Sequence, residues 1–382
     1  MLYSKEYQKH KSRVEKTLDF VPYDVEPIYD IKSPYRMIYG ERSNGKTYQV
    51  MELFLWDAYH YHKQFAYIRR LDEQLKGVNA ERLLSAFEEN GSIAAMTNGE
   101  WDGLLYRSRR WYWTRTEVIN DKYVTTTSDE PIGFAFALSQ TMNTKGASYR
   151  GVQNIAFDEF IDRDGYLPDD FVLFMNVLST VIRDRKNVDI WMLGNTVNKY
   201  CPYFAEMGLN HVKEQAPGKI EVYTYGNSKL SVAVEHTKPN AKGKGSDFYF
   251  AFDNPKLNMI TSGEWELNVY PRTPLKYKPK DILITTYIVF DREIARVDLV
   301  DVNCQTFVNV SPKTTAIKDP DADIVYSPIA DPRENWRSYL TRPQYEFERL
   351  MLELLRQNKW FYATNVVGEL VRNYFKFCGL NL

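Results

Sequence analysis

The sequence predicts an α/β protein, in which a doubly wound domain with a mostly parallel sheet is followed by a smaller α+β domain. In the first part of the chain, short apolar runs alternate with segments of helical spacing. A glycine-rich turn joins the first such run to the first long helical segment. Farther along, residues 236–247 are rich in Pro, Gly and Lys and precede three consecutive strand-like runs.

The first domain is predicted to begin with an arm or short helix and then to alternate strands with helices. Apolar runs bounded by turn residues mark the strands. The predicted core strands cover residues 35–39, 65–68, 152–157 and 188–193. The predicted helices cover residues 47–61, 79–90 and 171–183. This alternation is typical of a parallel sheet with helices on both faces.

Residues 104–139 depart from this alternation, because their aromatic and alternating runs favour antiparallel hairpins that lead into another core strand. The run RSRRWYWTR interleaves basic and aromatic residues, as surfaces that contact DNA or RNA do. On a strand, however, Trp111 and Trp113 share one face, and Arg110 and Tyr112 share the other. We therefore favour a half-buried hairpin over a nucleic-acid surface.

The second domain is predicted to be a β-meander followed by two helices. The runs ILITTYIVFD, EIARVDLVDV and QTFVNVS are typical of strands, and helical spacing follows over residues 343–358 and 363–377. We accordingly divide the chain into a first domain over residues 1–232, a linker over 233–262 and a C-terminal domain over 263–382.

Composition argues against several function classes. The chain of 382 residues contains no apolar run of the ~18 residues that a membrane helix requires. Its first residues lack the apolar stretch of a signal peptide, so we expect the protein to act in a cytoplasm. Cys201, Cys304 and Cys378 do not have a zinc-ligand spacing. The net charge of −1 leaves a local basic surface open, because acidic residues elsewhere can balance it.

A phosphate-binding motif lies between the first strand and the first long helix. The segment GERSNGKT matches the pattern G-x-x-x-x-G-K-[ST] in full, and its flanking strand and helix disfavour a fortuitous glycine turn. Backbone N–H groups of such a loop wrap phosphates at a helix N-terminus. Lys46 would reach the β- and γ-phosphates, and the Thr47 hydroxyl would ligate Mg²⁺. The predicted ATP-binding residues of the loop are Gly40, Glu41, Arg42, Ser43, Asn44, Gly45, Lys46 and Thr47.

Two acids follow a later core strand and complete the predicted ATP site. The run NIAFDE ends an apolar strand with Asp158 and Glu159. Asp158 would hold Mg²⁺, and Glu159 would orient or deprotonate the attacking water. A plain acidic turn after a buried strand is the alternative. The adjacent glutamate favours hydrolysis over phosphoryl transfer, and the segment NKYC at residues 198–201 lacks the aspartate of a guanine-reading N-K-x-D motif.

Further candidates are polar or basic residues near predicted strand and helix ends. Asn195 follows the next core strand, where it would sense the γ-phosphate, although an asparagine turn after Gly194 explains it nearly as well. Arg183 closes a predicted helix and is suited to act as an arginine finger in a neighbouring subunit, or merely to place positive charge at a helix C-terminus. The remaining basic candidates for phosphate contact are Arg69, Arg70 and Lys145, although the sequence alone favours a plain surface charge for each of them.

With these motifs in order, the chain resembles the DNA-packaging ATPases, or encapsidation proteins, of small protein-primed tailed bacteriophages. Those proteins are relatives of the terminase large subunits among the additional-strand, catalytic-glutamate P-loop ATPases. The resemblance rests on YGERSNGKTYQV, FAYIRR, NIAFDEFI and, above all, the block NVLSTVIRDR with the LGN and CPYF segments that follow it. It spans residues 35–210.

The resemblance implies an ATP- and Mg²⁺-dependent motor that moves double-stranded viral DNA into a preformed procapsid. It implies a homo-oligomeric ring, expected to be a pentamer, on the portal vertex in the host cytoplasm, with a packaging RNA as a further partner. Arg183 would act in trans as an arginine finger. Arg69, Arg70 and Lys145 would contact phosphate or DNA. The C-terminal domain would have an RNase H-like fold that has lost its cleavage residues.

Two other functions stay open. A terminase-like ATPase with an active C-terminal nuclease would need several carboxylates that converge on metal ions. Asp291, Asp298 and Asp301 lie near the meander strands, but they do not form a convincing set. A non-enzymatic adaptor would bind nucleotide at the P-loop without hydrolysing it.

Overall fold

A large, mostly parallel sheet and a smaller mixed sheet organise two units of the protein, Met1–Trp265 and Glu266–Leu382. The computed structural model describes residues 5–15, 18, 22–140, 148–163, 165–238, 265, 268–273 and 275–380. Among these residues, no helix combines the length and the apolar character that crossing a membrane requires.

The first unit contains the predicted alternation of strands and helices. Its strands are β1 (Tyr35–Gly40), β2 (Gln64–Arg69), β3 (Gly103–Arg107), β4 (Arg110–Ile119), β5 (Lys122–Thr127), β6 (Gly133–Ala137), β7 (Val152–Asp158), β8 (Asp189–Asn195), β9 (Lys219–Thr224) and β10 (Ser231–His236). Its helices are α1 (Lys5–Val14), α2 (Glu26–Tyr29), α3 (Lys46–Tyr61), α4 (Gly77–Glu81), α5 (Ser85–Glu89), α6 (Ser92–Met96), α7 (Asp170–Ile182) and α8 (Pro202–Glu206).

The large sheet has the order β3-β4-β6-β2-β7-β8-β1-β10-β9, with β5 paired to β4. Strands β6, β2, β7, β8, β1 and β10 are parallel, whereas β3, β4, β5 and β9 join as antiparallel edges. The parallel strands are buried on both faces, which explains their near-continuous apolar sequences. Because β7, β8 and β1 are adjacent and parallel, the residues at their carboxyl ends meet at one edge of the sheet.

Each face of this sheet supports a hydrophobic core. Phe54, Phe65 and Trp191 belong to one cluster, together with buried residues of α1 and α3. Phe157 and Tyr203 belong to the other, with residues of α7 and α8. The predicted hairpin is confirmed, since β3 and β4 pair in antiparallel register. Its Trp111 and Trp113 are buried in the first cluster, so neither indole is available to stack on a base.

Two sequence-based boundaries need correction. The helix predicted over residues 79–90 is interrupted by a 3-10 turn at Arg82–Leu84, although Ala80, Leu84 and Phe87 still share a buried face. The predicted end of the first domain at residue 232 cuts through β10, which pairs with β1 from Val232 to His236. Residues 233–238 therefore belong to the first unit, and residues 239–262 of the predicted linker lie outside the described residues.

The second unit is the predicted meander with helices behind it. Its strands are β11 (Ile282–Phe290), β12 (Glu293–Val302), β13 (Gln305–Lys313), β14 (Val325–Tyr326), β15 (Trp336–Arg337) and β16 (Trp360–Tyr362), and its helices are α9 (Glu346–Arg356) and α10 (Asn365–Phe377). The sheet order is β15-β14-β11-β12-β13-β16. Strands β11 to β13 are antiparallel, β14 and β15 continue parallel to β11, and β16 is parallel to β13. This mixed sheet with helices against it is the smaller domain that the resemblance predicts.

Candidate functional site

The glycine-rich loop curves from the end of β1 into the start of α3. Gly45 has the left-handed backbone conformation, with φ of 81°, and Ser43 has φ of 59°. These torsions turn the chain sharply before Lys46, the first residue of the helix. Gly40 meets a different constraint, because a Cβ atom there would lie 2.0 Å from the hydroxyl of Thr237. The loop thus has the shape that the motif predicts, with backbone N–H groups at a helix N-terminus.

The two acids meet this loop at the carboxyl edge of the sheet. The Thr47 hydroxyl donates to Asp158 Oδ1 over 3.1 Å, and the Tyr67 hydroxyl donates to Asp158 Oδ2 over 2.6 Å. Glu159 follows in a left-handed turn, with φ of 60°, and its side chain is 51% exposed. One acid is therefore fixed between two hydroxyl groups, while the other extends into solvent beside it.

A cavity of about 420 Å³ lies between the loop and the acids. This volume is in the range of sites that bind small molecules. Its lining includes both acids, the P-loop lysine and the predicted sensor at the end of β8. The lining residues are Ser43, Asn44, Gly45, Lys46, Thr47, Tyr48, Tyr67, Arg69, Arg82, Leu83, Asp158, Glu159, Leu193, Gly194 and Asn195. The structure therefore brings together three separate sequence motifs.

The Lys46 ammonium group is buried among oxygen atoms. Its Nζ donates to Glu41 O over 2.5 Å, to Asn44 Oδ1 over 3.0 Å and to Asn195 Oδ1 over 3.3 Å. Burial lowers the pKa of Lys46 to about 8, and the negative charges of Asp158 and Glu41 oppose that shift. Phosphate oxygens would compensate the buried charge better than neutral oxygen atoms do.

The donor set suits a magnesium nucleotide. Protein sites for Mg²⁺ commonly supply one or two carboxylates and leave the other positions to substrate phosphates and water. Asp158 provides one carboxylate beside the glycine-rich loop, and the Thr47 hydroxyl provides a second protein ligand. Across the residues that the structure describes, no group of three or more His, Cys, Asp or Glu side chains could hold a metal ion by itself. A cation in this cavity would therefore depend on the phosphates.

Arg69 lies inside the cavity, where it forms ion pairs with both acids. Its guanidinium is 3.3 Å from Asp158 Oδ2, contacts the Glu159 carboxylate directly and donates from Nε to the Tyr67 hydroxyl over 3.1 Å. Burial disfavours its charge, but Tyr67 and the two acids outweigh that effect and raise the pKa of Arg69. Of the predicted alternatives, phosphate contact fits this position, whereas a side chain only 12% exposed and held by two acids is poorly placed for DNA.

Arg70, the other arginine predicted to contact phosphate or DNA, does not line the cavity. Alternation along β2 directs it to the opposite face of the sheet, where it is 4% exposed. It pairs with Asp170 over 2.8 Å and donates to the carbonyl oxygens of Glu159 and Phe160 over 3.1 and 2.8 Å. These contacts fix the turn that carries Glu159, and contact of Arg70 with phosphate or DNA stays a prediction.

Arg183 does not line this cavity. It follows α7, and the neighbouring Arg185 donates to the carbonyl oxygens of Arg150, at 3.0 Å, and of Val152. Val152 begins β7, so Arg183 lies at the amino edge of the sheet, away from the acids at its carboxyl edge. The side chain of Arg183 is exposed. A role of Arg183 as an arginine finger would therefore require another subunit. Lys145 lies outside the described residues.

The sequence analysis did not predict two of the residues at the site, Tyr67 and Thr237. Tyr67 stands two positions before Arg69 on the same strand face, so the period of two could have placed both in the site. Thr237 falls in the segment that was assigned to the linker, and nothing in its local sequence indicates its contact with the P-loop.

The acids of the second unit have different surroundings. Asp298 lies in the middle of β12 and is 3% exposed. Its Oδ1 accepts from Thr285 Oγ1 over 2.6 Å and from Arg296 Nε over 2.9 Å. Asp291 and Asp301 belong respectively to the turn before β12 and to its last residues. As noted above, the described residues contain no acidic or mixed cluster suited to a metal ion.

The chain is similar to known proteins of bacteriophage DNA packaging. A family model described as podovirus DNA encapsidation protein (Gp16) matches residues 112–224. The DNA packaging proteins of Bacillus phages phi29 and B103 are each 29% identical to the chain, over 170 and 175 residues. These alignments cover 44% and 45% of the chain, and 44% and 47% of the relatives. The chain thus matches less than half the length of these relatives.

A solved structure extends the similarity at the level of fold. The chain resembles a protein in the bacteriophage Phi-29 viral genome packaging motor assembly with a TM-score of 0.53 and 20% sequence identity. The similarity covers 93% of this chain and 98% of the other. At this identity the comparison shows a shared fold. The resemblance to phage encapsidation proteins that the sequence predicts is confirmed by the family match over residues 112–224.

Proposed function

We propose that the protein is an ATP-hydrolysing motor that translocates double-stranded viral DNA into a preformed procapsid. The observation that carries the proposal is the convergence of Lys46, Thr47 and the pair Asp158 and Glu159 on one cavity. These two motifs from distant parts of the sequence contain the groups that ATP hydrolysis requires, and Asn195 of a third motif lines the same cavity. The similarity to phage packaging proteins supplies the biological setting.

The P-loop and the first acid bind the nucleotide in this proposal. When bound, magnesium ATP supplies the γ-phosphoryl group and a cation that neutralises the charge on it. The backbone N–H groups of residues 40–47 surround the phosphates, and Lys46 donates to them. Thr47 and Asp158 would hold the cation. Asn195, which already accepts from Lys46, is within reach of the same phosphates and would sense their loss.

Glu159 acts as the general base. Its carboxylate is half-exposed at the open side of the cavity, where it can accept a proton from an attacking water. Arg70 keeps the backbone turn of Glu159 in place from behind. Arg69 pairs with Glu159 and also lines the cavity, so its guanidinium is within reach of both the carboxylate and a phosphate oxygen.

Arg183 completes the site of a neighbouring subunit. A guanidinium beside the γ-phosphate stabilises the charge of the transition state. The exposed position of Arg183 at the far edge of the sheet suits an action in trans within a ring, which we propose to be a homopentamer on the portal vertex in the host cytoplasm. A packaging RNA is a further proposed partner. DNA would be held through its phosphates without base readout, because a motor must pass any sequence.

The surroundings of the acids disfavour an active nuclease in the second unit. Asp298 is engaged by Arg296 and Thr285, and the described residues offer no converging acids for two metal ions. We expect no cleavage of plasmid DNA by the purified protein in Mg²⁺ or Mn²⁺. Metal-dependent nicking that disappears in Asp298→Asn would instead support the terminase-like alternative.

DNA-stimulated ATPase activity tests the motor function. We expect linear double-stranded DNA to raise ATP turnover, purified procapsids to raise it further, and added salt to weaken the stimulation steeply. Turnover that DNA and procapsids leave unchanged would contradict the motor assignment. Binding of ATP without any turnover would favour the adaptor.

Mixed rings test the trans role of Arg183. Lys46→Ala subunits lack a functional ATP site, and Arg183→Ala subunits lack the finger, so mixing them should recover part of the turnover that each lacks alone. Lys186→Ala, a change of an exposed lysine in the same loop, serves as the control. Full DNA-stimulated turnover by Arg183→Ala alone would rule out the finger.

A further inference from the structure

Thr237 lies against the P-loop although it is far from it in sequence. It follows β10, is 1% exposed and donates its backbone N–H to Tyr39 O over 2.9 Å. This contact extends the pairing of β10 with β1 to the start of the loop. The hydroxyl of Thr237 occupies the space where a side chain on Gly40 would otherwise project. With Thr237 in this place, position 40 has no room for a side chain.

The Asn44 carboxamide links Thr237 to the P-loop lysine. Its Nδ2 donates to Thr237 Oγ1 over 2.9 Å. Its Oδ1 accepts from Lys46 Nζ over 3.0 Å and from Lys46 N over 3.3 Å. Asn44 is 4% exposed and Lys46 is 6% exposed, so water has little access to these bonds. The three side chains form one buried chain of hydrogen bonds.

The donors and acceptors in this series of hydrogen bonds fix the orientation of the Asn44 amide. An ammonium group only donates, so the oxygen of the Asn44 amide must face Lys46 and its NH₂ group must face away. The NH₂ group then needs an acceptor, and Thr237 Oγ1 is that acceptor. Without the hydroxyl, a buried donor loses its partner, which carries a free-energy penalty. The amide would also lose the contact that prevents it from turning its NH₂ group toward the lysine.

We infer that Thr237 is a positioning residue for ATP binding, which acts by orienting Asn44 and, through it, Lys46. The inference rests on the proposed function and adds to it a residue outside all three sequence motifs. It also joins the P-loop to β10, which is the last strand of the large sheet in sequence order.

Substitution of Thr237 tests the role of its hydroxyl. Thr237→Val keeps the shape but removes the acceptor, and we expect it to raise both the Kd and the KM for magnesium ATP about tenfold, with kcat nearly unchanged. Thr237→Ser keeps the hydroxyl and should bind like the wild type. Thr286→Val is the matched control, because Thr286 in the second unit is fully buried and its hydroxyl has no hydrogen-bond partner among the described residues. It should leave the affinity unchanged.

A double-mutant cycle separates positioning from general packing. If Thr237 acts through Asn44, then Thr237→Val should add little to the loss in affinity that Asn44→Ala causes by itself. If Thr237→Val does not fold, Thr237→Ala replaces it in every comparison. Wild-type affinity in the Thr237 variant, equal weakening by Thr237→Ser, or strictly additive losses with Asn44→Ala would each overturn the inference.

Lys46→Ala distinguishes this inference from the proposed function. If Lys46→Ala abolishes ATP binding while Thr237→Val binds normally, only the positioning role fails. If Lys46→Ala binds ATP as the wild type does, the nucleotide site itself is wrong.

Discussion

Both units of the protein place acids on β-strands, but the surroundings of these acids differ. Asp158 lies at the carboxyl end of a parallel strand, beside a cavity and the glycine-rich loop. Asp298 lies in the middle of an antiparallel strand and accepts hydrogen bonds from its neighbours on the sheet. The difference teaches that position in the sheet, more than residue type, decides whether an acid can do chemistry.

Arginines sharpen the same contrast. Arg69 engages the acids of the first unit but also lines their cavity, and Arg70 holds the turn of Glu159 from the other face. In the second unit, Arg296 pairs with Asp298 while its own side chain is 41% exposed. We therefore expect the arginines of the first unit to matter far more than Arg296, for stability as well as for activity.

Arg70→Met should have the largest effect on stability. The substitution leaves Asp170, which is 3% exposed, without its arginine, and breaking a buried pair in this way typically costs about 3–5 kcal/mol. Urea denaturation of the full chain measures the change. A loss below about 1 kcal/mol would contradict the structural role of Arg70.

Lys46→Ala should weaken the binding of magnesium ATP about a hundredfold, since charged hydrogen bonds to phosphate are lost. Titration calorimetry measures the affinity. Lys63→Ala, which removes a lysine paired with Asp57 in the same unit, is the control and should bind ATP normally. A similar loss of affinity in both variants would show that the effect of Lys46→Ala is not specific to the cavity.

The affinity for magnesium ATP should fall as the pH rises above about 8. Burial lowers the pKa of Lys46 to about 8 in the free protein, whereas bound phosphate favours the charged lysine. Above this pKa, binding must take up a proton, so the affinity should fall by about tenfold per pH unit. Below it, the lysine is already charged and contributes no pH dependence. Calorimetry between about pH 7 and about pH 9 would detect the change. An affinity that does not vary with pH would contradict the lowered pKa of Lys46 or its contact with the phosphates.

Arg296→Gln should have the smallest effect, within about 1 kcal/mol in the free energy of unfolding, because exposed ion pairs contribute little. The same urea titration that tests Arg70 measures it. If Arg296→Gln lowers the free energy of unfolding as much as Arg70→Met does, the arginines of the two units contribute equally to stability.

Much of the first unit could be predicted, because parallel core strands are continuous apolar runs and the helices between them have a clear period. Strand β9 was missed because its sequence KIEVYT mixes charged and apolar residues at a half-exposed edge. Strands β14, β15 and β16 are only two or three residues long, too short to show a period. Their pairing depends on the meander next to them.

The candidate site likewise contains groups that the local sequence predicts and groups that it does not. The P-loop and the two acids are contiguous motifs, so their residue types and spacing predict them. The contact of Asn44 with Thr237 spans 193 positions, and the contact of Tyr67 with Asp158 spans 91. Such contacts have no local signal. Arg69 and Arg70 are adjacent and chemically identical, and only the burial of the two sheet faces determines which of them enters the cavity.

The central claim is that Glu159 catalyses hydrolysis of ATP held by the P-loop. Parallel measurement of ATP binding and turnover for the wild type, Glu159→Gln and Asp298→Asn tests it most directly. We predict that Glu159→Gln binds magnesium ATP normally but turns it over at least about a hundredfold more slowly, while Asp298→Asn changes neither. Wild-type turnover by Glu159→Gln would contradict the claim.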